Sequence, residues 1–214
     1  LGLATPGHVR ALRVVGGSIT PVFAQQSIRE MTRTGRSPQA IVDDATWGSF
    51  EAGWTGGQGA DADHLKTAAD ISACAAAGFT MFTIDPGEHV DPQADARAPG
   101  EIRAAWDALP WARLEDNAAS MRARYAGRAF DIEGREVRFD DGALMIAAVK
   151  YGRAIAHVTA MYRHLVSVKD GAPFDLEVSV DETDTPTAPA EHVFVASELR
   201  RLGVQWASLA PRFV

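Results

Sequence analysis

The sequence has one cysteine in 214 residues, Cys74, so no internal disulfide can form. It lies in Ser72-Ala73-Cys74-Ala75-Ala76-Ala77, a small-residue helix face where a buried, inert thiol is expected rather than a nucleophile. That usage fits a reducing, cytoplasmic compartment. No apolar run is long enough to span a bilayer, and the N-terminus lacks the basic-then-apolar pattern of a secretory leader. Positive charge is also short: 21 Lys and Arg stand against 28 Asp and Glu, a formal net charge of −7. The balance argues against nucleic acid or an anionic membrane as a general partner. No GxGxxG, P-loop or zinc-cluster cysteine motif occurs, so a nucleotide cofactor has no support. The length suits one good core. Leu1 is not a natural start, and Arg212-Phe213-Val214 follows a strand with no helix to cover it. The chain therefore reads as part of a longer protein.

What is present is concentrated ionisable chemistry. Gly59-Ala60-Asp61-Ala62-Asp63-His64-Leu65-Lys66 follows a glycine-rich turn and precedes a helical stretch, Thr67 to Ala77, closed by Gly78. If residues 60 to 64 are extended, Ala60, Ala62 and His64 point one way and Asp61 and Asp63 the other. Packing alone gives no reason to set two aspartates, a histidine and a lysine where a strand gives way to a helix. The bland alternative is that Asp63 caps the following helix.

Other segments repeat the arrangement. Thr5-Pro6 opens a helix. Ser18 to Ala24 reads as a strand running into Gln25, Gln26 and Arg29, and Ser37-Pro38 opens a helix whose Ile41, Val42, Ala45, Phe50 and Trp54, with Trp47 nearby, read as core. Thr80 to Ile84 is a nearly all-apolar strand delivering Asp85 at its carboxyl end, as buried parallel strands do. Residues 91 to 99 read as a mobile, solvated loop, and Glu101 to Ala126 as helical segments broken at Pro110. Arg128 to Asp140 reads as a two-stranded hairpin. Gly142 to Val168 reads as a long helix, whose His157 and His164 are about 10 Å apart at helical rise, too far to share a metal. Phe174 to Glu182 is a strand ending in Asp181, Glu182 and Asp184. Ala190 to Leu199 is a helix closed by Gly203, and Val204 to Leu209 the last strand, with Arg212 at its exit.

Five strands alternating with helices predict an α/β fold with a parallel sheet, and polar groups at successive strand ends are the pattern of a (β/α)8 TIM-barrel mouth. Residues 1–214 then form one partial barrel domain, an incomplete barrel with a helical and hairpin insertion at about 92–140. Gln26 and Asp85, at strand ends, are candidates to bind substrate. Arg29, Lys66 and Arg212 are candidates for a substrate carboxylate, which a planar guanidinium matches well.

Taken in order, Pro21-Val22-Phe23-Ala24-Gln25-Gln26-Ser27-Ile28-Arg29-Glu30, Gly59 to Thr67, Phe82-Thr83-Ile84-Asp85-Pro86, Val178 to Pro186 and Ser208 to Phe213 resemble the tagaturonate epimerase family of bacterial hexuronate catabolism. The resemblance implies a metal-dependent isomerase acting on a small sugar acid, interconverting D-tagaturonate and D-fructuronate. It also implies Asp63 as proton acceptor, Glu182 as proton donor and His64 as a ligand of a divalent cation. Neutral imidazole suits Zn²⁺, Ni²⁺ or Mn²⁺ alike. The family's other ligands are expected beyond Val214, and a homo-oligomer is compatible with the reading. On strict alternation Asp63 and His64 face opposite sides, so at least one is expected where the strand breaks. The epimerised carbon lies β to the ketone, so removing its hydrogen gives no stabilised enolate, and a retro-aldol cleavage with re-addition is the expected route. Two competitors share the acidic strand ends: a metal-dependent sugar aldolase or ketose isomerase, and a non-catalytic sugar-acid-binding fragment.

Overall fold

Strands and helices alternate because apolar residues recur at two different periods along the chain. The computed structural model describes residues 2–16, 18–181 and 183–213. α1 (Thr5–Val15) is followed by β1 (Val22–Ser27), α2 (Ile28–Thr34), α3 (Pro38–Glu51), β2 (Gly59–Leu65), α4 (Ala68–Ala77) and β3 (Met81–Ile84). Then come α5 (Pro99–Asp107), α6 (Ala118–Tyr125), β4 (Ala129–Ile132), β5 (Arg135–Arg138), α7 (Asp141–Lys169), β6 (Asp175–Val180), α8 (Pro189–Arg201) and β7 (Ser208–Pro211). The main sheet has five strands in the order β1-β2-β3-β6-β7, and β4 pairs antiparallel with β5 as the hairpin expected there. β1, β2 and β3 are parallel neighbours. The α/β class with a parallel sheet is as the alternation predicts.

The chain divides into two compact units, Leu1–Asp85 with Arg163–Glu177, and Pro86–Tyr162 with Val178–Val214. In the first, Phe23, Ile41, Ala62, Leu65, Ile71, Phe79 and Phe82 are buried. Cys74 is buried too, and that burial, helped by Asp70, pushes its thiol up to about 12, so it stays protonated. His164 meets the Ser72 hydroxyl at 2.7 Å. α4 begins at a reciprocal cap: the Thr67 hydroxyl accepts from the Asp70 amide, and the Asp70 carboxylate accepts from the Thr67 amide. It ends at Gly78, whose φ of 93° suits a residue without a Cβ. With Thr67 as the cap, Asp63 is left for other work.

Three expectations are corrected here. Trp47 and Phe50 were assigned to the core but are 66% and 76% exposed, pairing edge-to-face at 6.0 Å. Phe50 lies about 180° around the helix from Ile41 at 3.6 residues per turn, and the buried face is completed by Ala45, Gly48 and Ser49. β1 starts at Val22, four residues beyond the expected Ser18, and reaches Ser27, which caps α2. Thr5 is already helical, the cap position falling at Ala4.

In the second unit Trp106, Leu114, Phe139, Leu144, Ile155, Val178, Val180 and Phe194 are buried. His89 and His157 stack with ring centroids 4.0 Å apart. The stretch 91–99 is tied down rather than solvated throughout: Ala94 is fully buried, Asp91 pairs with Arg97 at 2.8 Å, and Asp95 pairs with Lys150 at 2.8 Å. α8 carries two buried carboxylates. Burial of a charge is costly unless it is paired, and Glu198 is met by the Tyr125 hydroxyl at 2.8 Å and by Arg124 and Arg201 at 3.2 and 2.8 Å. The last strand is Ser208–Pro211 because Val204 is used elsewhere: its amide bonds the Leu199 carbonyl and its side chain is buried just after the turn that follows α8.

Candidate active site

Burial alternates along β2: Ala60 and Ala62 are buried, while Asp61 and Asp63 are half-buried on the opposite face. The pattern follows from the period of two, and it breaks where the chemistry begins. Pairing with β3 runs Asp61↔Met81 and Ala62↔Phe82, then jumps to Leu65↔Ile84, which inserts one extra residue into β2 at 63–64. The bulge coincides with a left-handed backbone at His64, φ 51°, a conformation uncommon outside glycine and found disproportionately at functional positions. Its effect is to undo the alternation, so that the His64 imidazole lies beside Asp63, Nε2 to Oδ1 at 3.6 Å.

Each neighbour has a reason to be where it is. Asp85 follows β3 and is almost fully buried. Its Oδ2 stands 3.3 Å from His64 Nδ1 and 3.4 Å from Lys66 Nζ. A carboxylate on Nδ1 favours the tautomer with the proton there, which puts the lone pair on Nε2. Gln25 on β1 donates from Nε2 to Asp63 Oδ2 at 2.9 Å. Asp61 lies two residues before Asp63 on the same face, with the Thr83 hydroxyl 3.5 Å from its carboxylate. Burial, then the charges of Asp63 and Glu177, push the Asp61 carboxyl up to about 7, against smaller opposing effects of Thr83 and His64. A carboxyl titrating near neutrality beside a second carboxylate and an imidazole is equipped to move protons.

The first unit thus gathers Asp63, His64, Lys66 and Asp85 of the residues singled out in the sequence. Gln26 is not among them. It is buried on the other face of β1, with its amide 3.4 Å from the Thr34 hydroxyl and 3.5 Å from Arg36; Gln25 is the glutamine on the Asp63 face. Arg29 is exposed on α2. In the second unit Arg212 is committed to its own neighbourhood, its guanidinium donating to the Thr183 carbonyl and its amide to the Thr187 hydroxyl at 3.1 Å. Glu182 lies outside the described residues. Asp61 had a legible signal, since period two places it with Asp63, whereas Gln25 stands opposite Asp61 only through the register of β1 with β2.

Among the described residues no three His, Cys, Asp or Glu side chains are arranged to hold a metal ion. The donor chemistry at His64 nonetheless suits a divalent cation. With the proton on Nδ1, facing the closer and buried carboxylate of Asp85, Nε2 would offer its lone pair, and an oxygen of Asp63 lies alongside.

Carboxylates and an imidazole gathered at the carboxyl ends of parallel strands define an α/β protein whose polar groups lie where such folds commonly place their sites. Comparison makes the assignment particular. The family model described as tagaturonate epimerase matches residues 1–214. A Thermotoga maritima protein named tagaturonate/fructuronate epimerase is 46% identical over the whole chain. Crystal structures of fructuronate-tagaturonate epimerase from Cohnella laeviribosi, native and with one glycerol, superpose with TM-scores of 0.90 at 38% and 39% identity over 100% of this chain. The chain belongs to the tagaturonate epimerase family. It spans 42% of the length of these relatives.

Proposed function

We propose that the protein is a metal-dependent epimerase that interconverts D-tagaturonate and D-fructuronate, with its five strands forming part of a (β/α)8 barrel. The relatives' names supply the substrate class, and one observation carries the mechanism: the bulge in β2 that sets an oriented imidazole beside Asp63. Asp63 takes the hydroxyl proton from the carbon β to the ketone. The bond between that carbon and its α neighbour breaks, giving an aldehyde and an enolate. The aldehyde turns its other face, the enolate carbon re-attacks, and Glu182 protonates the new alkoxide. A divalent cation held by His64 Nε2 supplies Lewis acidity to the enolate oxygen when bound. Asp85 keeps the ring in the tautomer that ligation needs, and Gln25 holds the Asp63 carboxylate toward its work. The buried thiol of Cys74 suits a reducing, cytoplasmic setting.

A labelled aldehyde of the size released by the cleavage tests the route. Its incorporation into product, with no exchange of the epimeric hydrogen with solvent, is the expected result; exchange without incorporation rules the cleavage out. The tautomer argument has its own test. Asp85→Asn is expected to weaken divalent-metal binding about 10- to 100-fold in calorimetric titration, and unchanged affinity would remove Asp85 from the site.

A further inference from the structure

Trp47 and Phe50, which the core beneath α3 leaves out, belong to a larger open surface. Val14 and Val15, in the last turn of α1, are 87% and 73% exposed, and Leu3, just before α1, is 78% exposed. All five lie in the first unit. α1 buries Thr5 and Val9, and Val14 stands about 140° around the helix from Val9. The two helices are tied where these side chains stand: Arg13 donates from Nη2 to the Ala52 and Gly53 carbonyls, at 2.8 and 2.9 Å, just past the end of α3. Phe50 precedes that tie and Trp47 lies one turn further back, so the valines and the aromatics cluster at the same end of the helix pair. With about 150–250 Å² on an aromatic side chain, Trp47 and Phe50 alone leave roughly 300 Å² open. Val14, Val15 and Leu3 bring the open apolar area toward the roughly 800 Å² that each partner of a stable complex covers, beyond the few hundred Å² a monomer commonly leaves to water. Charge is divided between the helices. α1 carries His8, Arg10 and Arg13 and no acid, whereas α3 carries Asp43, Asp44 and Glu51 and no base. Asp44 pairs with Arg36 and Asp43 accepts from Gln39, but Arg10 and Glu51 are exposed and make no hydrogen bond or ion pair among the described residues. An apolar centre with opposite charges on its two helices is complementary to a copy of itself.

We propose that this face is the contact between two copies of the full-length protein, related by a two-fold axis that sets α1 of one copy against α3 of the other. The aromatic pair and the valines form its dry centre, and each Arg10 faces Glu51 of the partner subunit at the rim. An aromatic at the centre of such a contact carries much of its affinity, while a rim charge pair mainly fixes which surfaces meet. Sedimentation velocity on the full-length protein is expected to show an even-numbered oligomer. Trp47→Glu, at a position the fold leaves open, is expected to raise its dissociation constant roughly thirtyfold or more. Arg10→Glu is expected to weaken association about fivefold, and Glu51→Arg added to the same chain to restore it, because a two-fold contact repairs both rim pairs at once. A wild-type chain that is monomeric at every concentration overturns the inference. So does an oligomer that Trp47→Glu leaves intact; a lower thermal midpoint in that variant would then show the patch to be covered by another segment of the same chain. If the doubly exchanged chain associates no better than Arg10→Glu alone, the facing of α1 against α3 is wrong.

Discussion

Asp63→Asn is expected to lower kcat in both directions by roughly a thousandfold, within the range that removing a general base commands, while KM and the thermal midpoint stay close to the parent's. The asymmetry follows from geometry. Asparagine has the size of aspartate and its carbonyl oxygen still accepts from Gln25 Nε2, so the contact at 2.9 Å survives. It has lost the basicity needed to take a hydroxyl proton. If Asp63 served only to balance the His64 ring at 3.6 Å, the loss would be a few-fold and would appear in stability first. Steady-state rates on both keto-acids, with thermal unfolding alongside, separate the outcomes. Ligand binding unchanged by the substitution, with no turnover in parent or variant, would favour a sugar-acid-binding role over an enzyme.

How much of this arrangement was readable without coordinates depends on which physical rule governs each residue. The faces of β2 were readable, because alternation is a property of any extended chain, and Asp61 and Asp63 do share a side. The need for a break at Asp63–His64 was readable as well, since two residues in succession cannot otherwise attend one centre. The form of the break was not: a one-residue bulge and a left-handed histidine arise from the register β2 keeps with β3, which is a property of the pair. Gln25 and Gln26 illustrate the same limit, because choosing between adjacent glutamines requires knowing where β1 begins, and it begins later than its β-branched residues suggested. The α3 aromatics misled for a different reason. A large apolar residue is usually core, but Phe50 and Trp47 sit off a face filled by smaller side chains. Lys150 and Arg212 were unreadable in principle, since an isolated cation carries no mark of which carbonyls and carboxylates the fold will bring to it.

The face that holds Asp63 is expected to cost stability as pH rises, and Asp61 is where the cost can be measured. Its carboxyl is raised from 3.8 to about 7, chiefly by burial and then by the charges of Asp63 and Glu177. The folded protein therefore keeps a proton on Asp61 that the unfolded chain has already released. Between about pH 4 and pH 7 the folded state binds more protons, so stability falls as pH rises through that window and levels off above it. A full displacement of this size is worth several kcal/mol; with the carboxyl partly open to solvent, the expected loss is on the order of 2 kcal/mol. Asp61→Asn removes the titration but keeps an oxygen for the Thr83 hydroxyl. Urea unfolding of the two proteins at pH 5 and pH 8 isolates the effect from every other carboxylate. The variant should gain on the parent at pH 8 and lose most of that gain at pH 5. A difference that does not change with pH would mean that Asp61 titrates like an ordinary surface aspartate. A strand with a fully apolar or neutral face here would be more stable at neutral pH, and a carboxyl whose pKa is raised by burial beside neighbouring acids is the arrangement a proton-transfer site requires.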